Sequence, residues 1–272
     1  MKTSPILVFL CLGFLLPAEN SFAQSEQDSI VRRVYQTTRI QGSSPTIDGI
    51  LDDQAWEQVA WATDFLENEP NNGGSPSQET AFKILYDEKF LYIGYRCFDT
   101  EPDSIEARMS RRDGFAGDWV EINIDSYHDL QSGFSFTSGV SGVKGDETIT
   151  NQFNWDTNFN PIWYLKSTID DEGWVAEVKI PFSQLRFTGE DEQVWGFQIN
   201  RRHMREGTRS TFQEIPNNAP YWVRGFAELH GIKGIKPQKQ VEIQPYVVGK
   251  IESFPEEEGN PFATGNDSKL TA

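Results

Sequence analysis

Six short segments, each crowded with aromatic and β-branched residues, constrain this chain more than anything else in it. They are TAFKILY (80–86), FLYIGYRCF (90–98), DWVEINID (118–125), IWYLKSTI (162–169), GWVAEVKI (173–180) and QVWGFQIN (193–200). Turn residues separate them: Asp87-Glu88-Lys89, Asp170-Asp171-Glu172-Gly173 and Gly189-Glu190-Asp191-Glu192. Segments of this length and composition, bounded in this way, read as antiparallel strands. In the last of them Trp195, Phe197 and Ile199 share one face and Val194, Gly196, Gln198 and Asn200 the other, which predicts one face in a core and one in water. Helical signal is sparse: Asp52 is placed to cap a short helix carrying Trp56, Val59 and Ala60, and Ile105 with Met109 spaces as one more turn. The fold expected is all-β, an antiparallel β-sandwich over residues 42–236.

The ends of the chain read differently. Lys2, the apolar run Ile6–Leu16 and the small residues of Ser21-Phe22-Ala23 have the order of a cleaved secretory signal peptide over residues 1–23, and the apolar run is too short to span a bilayer. The expected destination is export, to the periplasm, outer membrane or cell surface, with residues 24–41 as an N-terminal segment before the sandwich. Cys11 goes with the signal peptide, so the mature chain keeps only Cys97, read as a small buried hydrophobe. Residues 237–272 read as a connector, from Lys236-Pro237-Gln238-Lys239, followed by VEIQPYVVGKI (241–251), which has the length and period of one transmembrane β-strand.

Charge narrows the partners. Asp and Glu number 41 against 24 Lys and Arg, a net charge of −17. Nucleic acid is therefore not an expected partner, because phosphate binding draws on Lys and Arg. Enzyme signatures are missing too: there is no G-x-S-x-G, H-E-x-x-H, phosphate-binding glycine loop or C-x-x-C. Glu121 and Asp125 share a strand face but stand four residues apart, roughly 13 Å along the backbone. Glycoside hydrolysis uses carboxyl pairs about 5–9.5 Å apart, so no catalytic residue is assigned. The same strand reads better as a binding surface. Trp119, Glu121, Asn123 and Asp125 lie opposite the core-facing Val120, Ile122 and Ile124, and an aromatic ring beside carboxylate and amide groups suits a sugar.

A family resemblance rests on long motifs. SPTIDGILDDQAWEQVA (44–60), ILYDEKFLYIGYRCFD (84–99) and GDWVEINID (117–125) resemble the family 9 carbohydrate-binding modules, β-sandwiches that hold the end of a glycan between two aromatic rings. WDTNFNPIWY (155–164), GWVAEVKIPFSQLRF (173–187), WGFQINRR (195–202) and YWVRGFAELHGI (221–232) resemble a group of exported bacterial proteins carrying such a domain ahead of an outer-membrane β-barrel of unknown function. The resemblance implies that Phe115 and Trp222 are the clamping aromatics, with Tyr221 as neighbour, and that Glu121 contacts the sugar. The strand's own alternation puts Trp119 and Asn123 on the same surface as Glu121. The family's Arg-x-Asn pair falls on Thr137 and Gly139, so that half of the hydrogen-bonding set is shortened or lost. Trp56, Trp174 and Trp195 read as core. No cofactor is required; structural calcium is implied by the family and suits the turn carboxylates, although no metal ligand can be named.

Three functions follow for testing. The first is glycan binding, associated with polysaccharide catabolism because such modules accompany hydrolases of O-glycosyl compounds. The second is a periplasmic or surface accessory domain of an outer-membrane β-barrel, without a sugar. The third is haem binding through Met109, His203 or Met204.

Overall fold

The computed structural model describes residues 30–237 and 258–260. The signal peptide expected at 1–23 and the alternating run 241–251 lie outside the described residues. Among the described residues fourteen strands make two sheets. In chain order the first seven are β1 (Val34–Gln36), β2 (Thr38–Arg39), β3 (Leu66–Glu69), β4 (Thr80–Tyr86), β5 (Phe90–Phe98), β6 (Trp119–Asp125) and β7 (Gly133–Gly139). Next come β8 (Lys144–Thr150), β9 (Asn154–Asp156), β10 (Tyr164–Asp170), β11 (Gly173–Pro181), β12 (Glu192–His203), β13 (Thr208–Thr211) and β14 (Ala227–Lys233). The larger sheet runs β1-β14-β12-β6-β7-β8-β9, with β13 and then β3 joined beside β12; the smaller runs β10-β11-β5-β4-β2.

All six segments read as strands are strands, and those at 80–86 and 90–98 match β4 and β5 residue for residue. The sheets are mixed rather than purely antiparallel, since β1 lies parallel to β14 and β2 parallel to β4. The core between the sheets takes the predicted faces. Val120, Ile122 and Ile124 of β6 and Trp195, Phe197 and Ile199 of β12 meet Ile84, Ile93, Tyr95 and Trp174 from the smaller sheet. Trp56, Trp174 and Trp195 are buried, as is Cys97, whose thiol is pushed up to about 12 by burial.

Two helical expectations are corrected. The turn at Gln54–Gln58 is a 3-10 helix preceded by Asp53, not Asp52, and that residue makes no side-chain cap. Val59 and Ala60 lie beyond it. Near Ile105 the helical turn is at Pro102–Ser104, where proline presets φ; Ile105 itself is extended and Met109 belongs to no helix.

A third correction matters for function. The second face of β12 is not in water: Gln198 and Asn200 are buried. Strand alternation records which residues share a face but not what covers it. Here a loop segment does, with Ile215, Trp222, Val223 and Phe226 packed together on Ile149 of β8. Segment 44–60 does the same for the smaller sheet, where Ala55 and Trp56 pack on Leu85 and Tyr92.

Candidate functional site

The register of the larger sheet lines up the polar side chains of its outer face. Across the strands, Asn200, Glu121, Thr137 and Gly145 form one row. Gln198, Asn123, Ser135 and Glu147 form the next. Arg202, Trp119 and Gly139 form a third.

Glu121, only 7% exposed, is the centre of this face. Its Oε1 accepts from the Ser135 hydroxyl at 2.8 Å and the Thr137 hydroxyl at 3.1 Å, and its Oε2 from the Asn200 amide at 2.7 Å. The oxygen of Asn123 accepts from the Trp222 indole N–H at 3.1 Å and from Asn200 at 3.3 Å. Two polar atoms in this layer remain without a partner among the described residues, Nδ2 of Asn123 and Oδ1 of Asn200. An unpaired buried polar atom costs about 1–3 kcal/mol. A layer that leaves two such atoms beside a carboxylate is incomplete by itself.

The expected site residues therefore fall into two groups joined through Thr137. Glu121, Asn123 and Trp222 are in one hydrogen-bond network. Trp222 is 9% exposed, meets Phe226 edge-on at 5.9 Å between ring centroids, and carries the Arg209 guanidinium 5.8 Å above its ring. Tyr221 is half-buried beside it, under the Arg224 guanidinium. Phe115 and Trp119 form the second group, their ring centroids 6.0 Å apart, and Phe115 is 41% exposed. Gly145 makes room for Phe115, since a Cβ there would come within 2.6 Å of the ring. Phe115 and Trp222 do not touch each other as a ring pair among the described contacts. Trp119, Glu121, Asn123 and Asp125 share the face of β6 opposite the core, and the last three are buried: the Trp222 indole lies against Asn123, and the turn after β6 folds onto Asp125. The Asp125 carboxylate caps that turn, accepting from the N–H groups of Asp129 and Leu130, and burial pushes its pKa up to about 6.

Sequence reasoning missed Asn200, Ser135 and Glu147. Asn200 had a visible signal in the alternation of WGFQINRR; Ser135 and Glu147 lie on strands with none. Glu147 is half-buried, and burial, followed by the charges of Glu121, Asp113 and Asp146, pushes its carboxyl up to about 7. Trp155 of β9 was also missed as a candidate; it pairs with Ile149 and so shares the outer face, partly exposed.

One group of described residues, Asp99, Asp118 and His203, brings possible metal-ligating atoms within 4.8 Å of one another; the turn carboxylates do not gather in this way. The turn carboxylates are spent locally: Asp87 on Lys89, Phe90, Tyr92 and Ser44, and Asp129 on Gln131 and Ser132. Among the described residues no three carboxylates come together as calcium ligands. The His203 ring faces Asp99 and Glu206, and Met109 is exposed.

With that geometry in place, the family comparison is decisive. The model of the carbohydrate family 9 binding domain-like family matches residues 47–220. This chain belongs to that family. Two structures of a family 9 carbohydrate-binding module from Caldicellulosiruptor kristjanssonii, one in complex with glucose and one with cellotriose, are similar to it. Each has 18% identity and a TM-score of 0.52, over 77% of this chain and 100% of that one. A protein from Bacteroides uniformis, provisionally described as carbohydrate-binding, aligns with a TM-score of 0.60 at 12% identity, over 74% of this chain and 100% of that one. At these identities the likeness shows the family 9 sandwich fold. No curated protein matches the sequence.

Proposed function

We propose that this family 9 domain binds glycan on the outer face of its larger sheet. The observation that carries the reading is the incomplete polar layer: Glu121, with Nδ2 of Asn123 and Oδ1 of Asn200 unpartnered beside it, lying between two aromatic groups. Sugar hydroxyls both donate and accept, so one ring satisfies an amide N–H and an amide oxygen together, and its C–H face stacks on an aromatic. Phe115 and Trp119 supply one wall and Trp222, with Tyr221, the other. The sugar complexes of the Caldicellulosiruptor modules support the same reading.

Calorimetry of residues 24–272 against xylo- and cello-oligosaccharides tests it. Binding that weakens at least several-fold in Trp222→Ala is expected. No heat with any of these glycans, or equal affinity in the variant, overturns the clamp.

The finer reading is an exported protein, its leader at 1–23, serving polysaccharide breakdown alongside glycosidases at the outer membrane. A second reading has one observation in its favour. Glu121 already takes three internal hydrogen bonds, and Thr137 and Gly139 stand where the family's Arg and Asn would. A sugar-free accessory domain of an outer-membrane β-barrel fits that saturation, and a failed glycan titration would select it.

A further inference from the structure

The core stops short at one end of the larger sheet. On the core-facing side of β7, Phe136 is fully buried, but Phe134, two residues before it, is only half-buried. Phe134 meets Phe159, also half-buried, with ring centroids 5.4 Å apart and planes at 43°. Both rings pack against the core from one side. With Thr148, the cross-strand partner of Phe134 on β8, they line a cleft of about 360 Å³. Small-molecule sites have volumes of about 300–1,000 Å³. One wall of the cleft is segment 183–186, which follows β11; the other is the β6–β7 turn, with Ser126 and Tyr127.

The two walls are braced to each other, since the Ser126 hydroxyl donates to the Arg186 carbonyl at 2.6 Å. Gln152 of the β8–β9 turn donates to the Leu130 carbonyl and so ties that turn to the β6–β7 turn. Both turns hold strained backbone: φ is 53° at His128, 60° at Leu130, 49° at Asn151 and 73° at Gln152. Left-handed conformation at a residue other than glycine is costly and gathers at ligand clamps. Four of the six such residues among those described stand at this end of the sandwich. The one carboxylate in the lining, Asp125, is occupied by the N–H groups of Asp129 and Leu130. The side chains of Tyr127, Thr148 and Arg186, by contrast, have no partner among the described residues. Arg186 is exposed and is the one cation of the lining.

We propose that this cleft is a second binding site, for a single sugar acid of the hexuronate class, with its ring on Phe134 and Phe159 and its carboxylate on Arg186. The aromatic floor takes the C–H face of a pyranose, the hydroxyls of Tyr127 and Thr148 meet those of the sugar, and a guanidinium holds a carboxylate by two parallel hydrogen bonds. An aromatic acid would use the floor and Arg186 but leave the hydroxyls unmatched. A sugar phosphate would bring nearly two negative charges to one guanidinium, in a chain whose net charge is −17. The floor lies on the core-facing side of the larger sheet, opposite Glu121 and Trp222, so the site does not depend on the glycan face.

The test is calorimetry of residues 24–272 with glucuronate and galacturonate, at least one of which should bind with one equivalent per chain. Glucose, benzoate and glucose 6-phosphate each lack part of the required chemistry and should compete at least about 10-fold more weakly. R186Q should lose at least about 10-fold in affinity, the lower end of what a hydrogen bond to a charged group is worth. S183F, which fills the cleft without changing its charge, should abolish binding. Both variants should titrate with cello-oligosaccharides as the unmodified chain does. A chain that binds the uronate but no cello-oligosaccharide refutes the glycan face and leaves this site standing. If S183F fails to fold, R186Q, at an exposed position, still decides. No binding of either uronate, or affinity unchanged in R186Q, overturns the site. Equal competition by benzoate overturns the sugar ring, and equal competition by glucose overturns the carboxylate contact.

Discussion

The two sheets have been given the same outer-face device, and they differ in how completely it is finished. On the smaller sheet, Glu177 of β11 lies under Trp56, and its carboxylate is saturated. Oε2 accepts from the N–H groups of Asp48 and Gly49 at 2.9 and 2.8 Å, and Oε1 from the Trp56 indole at 3.0 Å. Lys83 closes the layer by donating to the Trp56 carbonyl at 2.6 Å, and Gly94 leaves just enough room for Leu51 and the indole. On the larger sheet, Glu121 lies under a layer that includes Trp222, but two amide atoms there have no partner. A buried carboxylate below a tryptophan is thus no mark of function. The unfinished layer is the one with hydrogen-bonding capacity left unused.

The largest effect that would sharpen this contrast is on stability. Trp56→Ala should cost about 3–5 kcal/mol, the range for truncating a buried large aromatic, and chemical denaturation measures it. Retention of wild-type stability would mean that the smaller sheet's cover is dispensable and that the two faces are not counterparts. Next comes Glu121→Gln, which should weaken glycan binding by about 1.5–3 kcal/mol, roughly 10–150-fold, as the charged acceptor is lost; Glu177→Gln should leave affinity unchanged. Equal losses from both would erase the distinction between the two faces. Trp222→Ala is expected to lower affinity by about 0.5–1.5 kcal/mol of aromatic contact beyond the area it buries, read by calorimetry.

The smallest expected effect is on pH dependence. The Glu147 carboxyl, pushed up to about 7 by burial and by its acidic neighbours, holds a proton in the folded state after the unfolded chain has lost it. Between about 4.5 and 7 stability therefore falls as pH rises, and it levels off above that window. Asp125, at about 6, adds to the lower half of the fall. Thermal unfolding of Glu147→Gln from pH 4.5 to 8 should show a shallower decline, most visibly between pH 6 and 7. A decline as steep as in the unmodified chain would show that Glu147 titrates normally.

The sandwich was legible in the sequence wherever residue preference and packing agree. Strands β4, β5, β11 and β12 are rich in aliphatic and aromatic residues, and in β12 the alternation told the core face from the other. It was silent at β7 and β8, FSFTSG and KGDETIT, where serine, glycine and aspartate carry weak strand preference and are there for their hydrogen bonds. These strands supply Ser135, Thr137 and Glu147, so the polar half of the site was the half out of sight. The covering loop was equally invisible, because Ile215, Val223 and Phe226 have no period.

The parallel pairing of β1 with β14 sets how this domain carries load. Val34 aligns with Glu228 and Gln36 with His230, so the first strand of the sheet lies along the last and runs the same way. Tension applied before β1 and after β14 draws the two strands past each other along their length. Their cross-strand hydrogen bonds then resist together in shear instead of parting one at a time, as a hairpin pulled from its open end would. Because β2 continues from β1 after a single residue and pairs with β4, the same pull is passed at once to the second sheet. A tether running through this domain would stress both layers before either could peel.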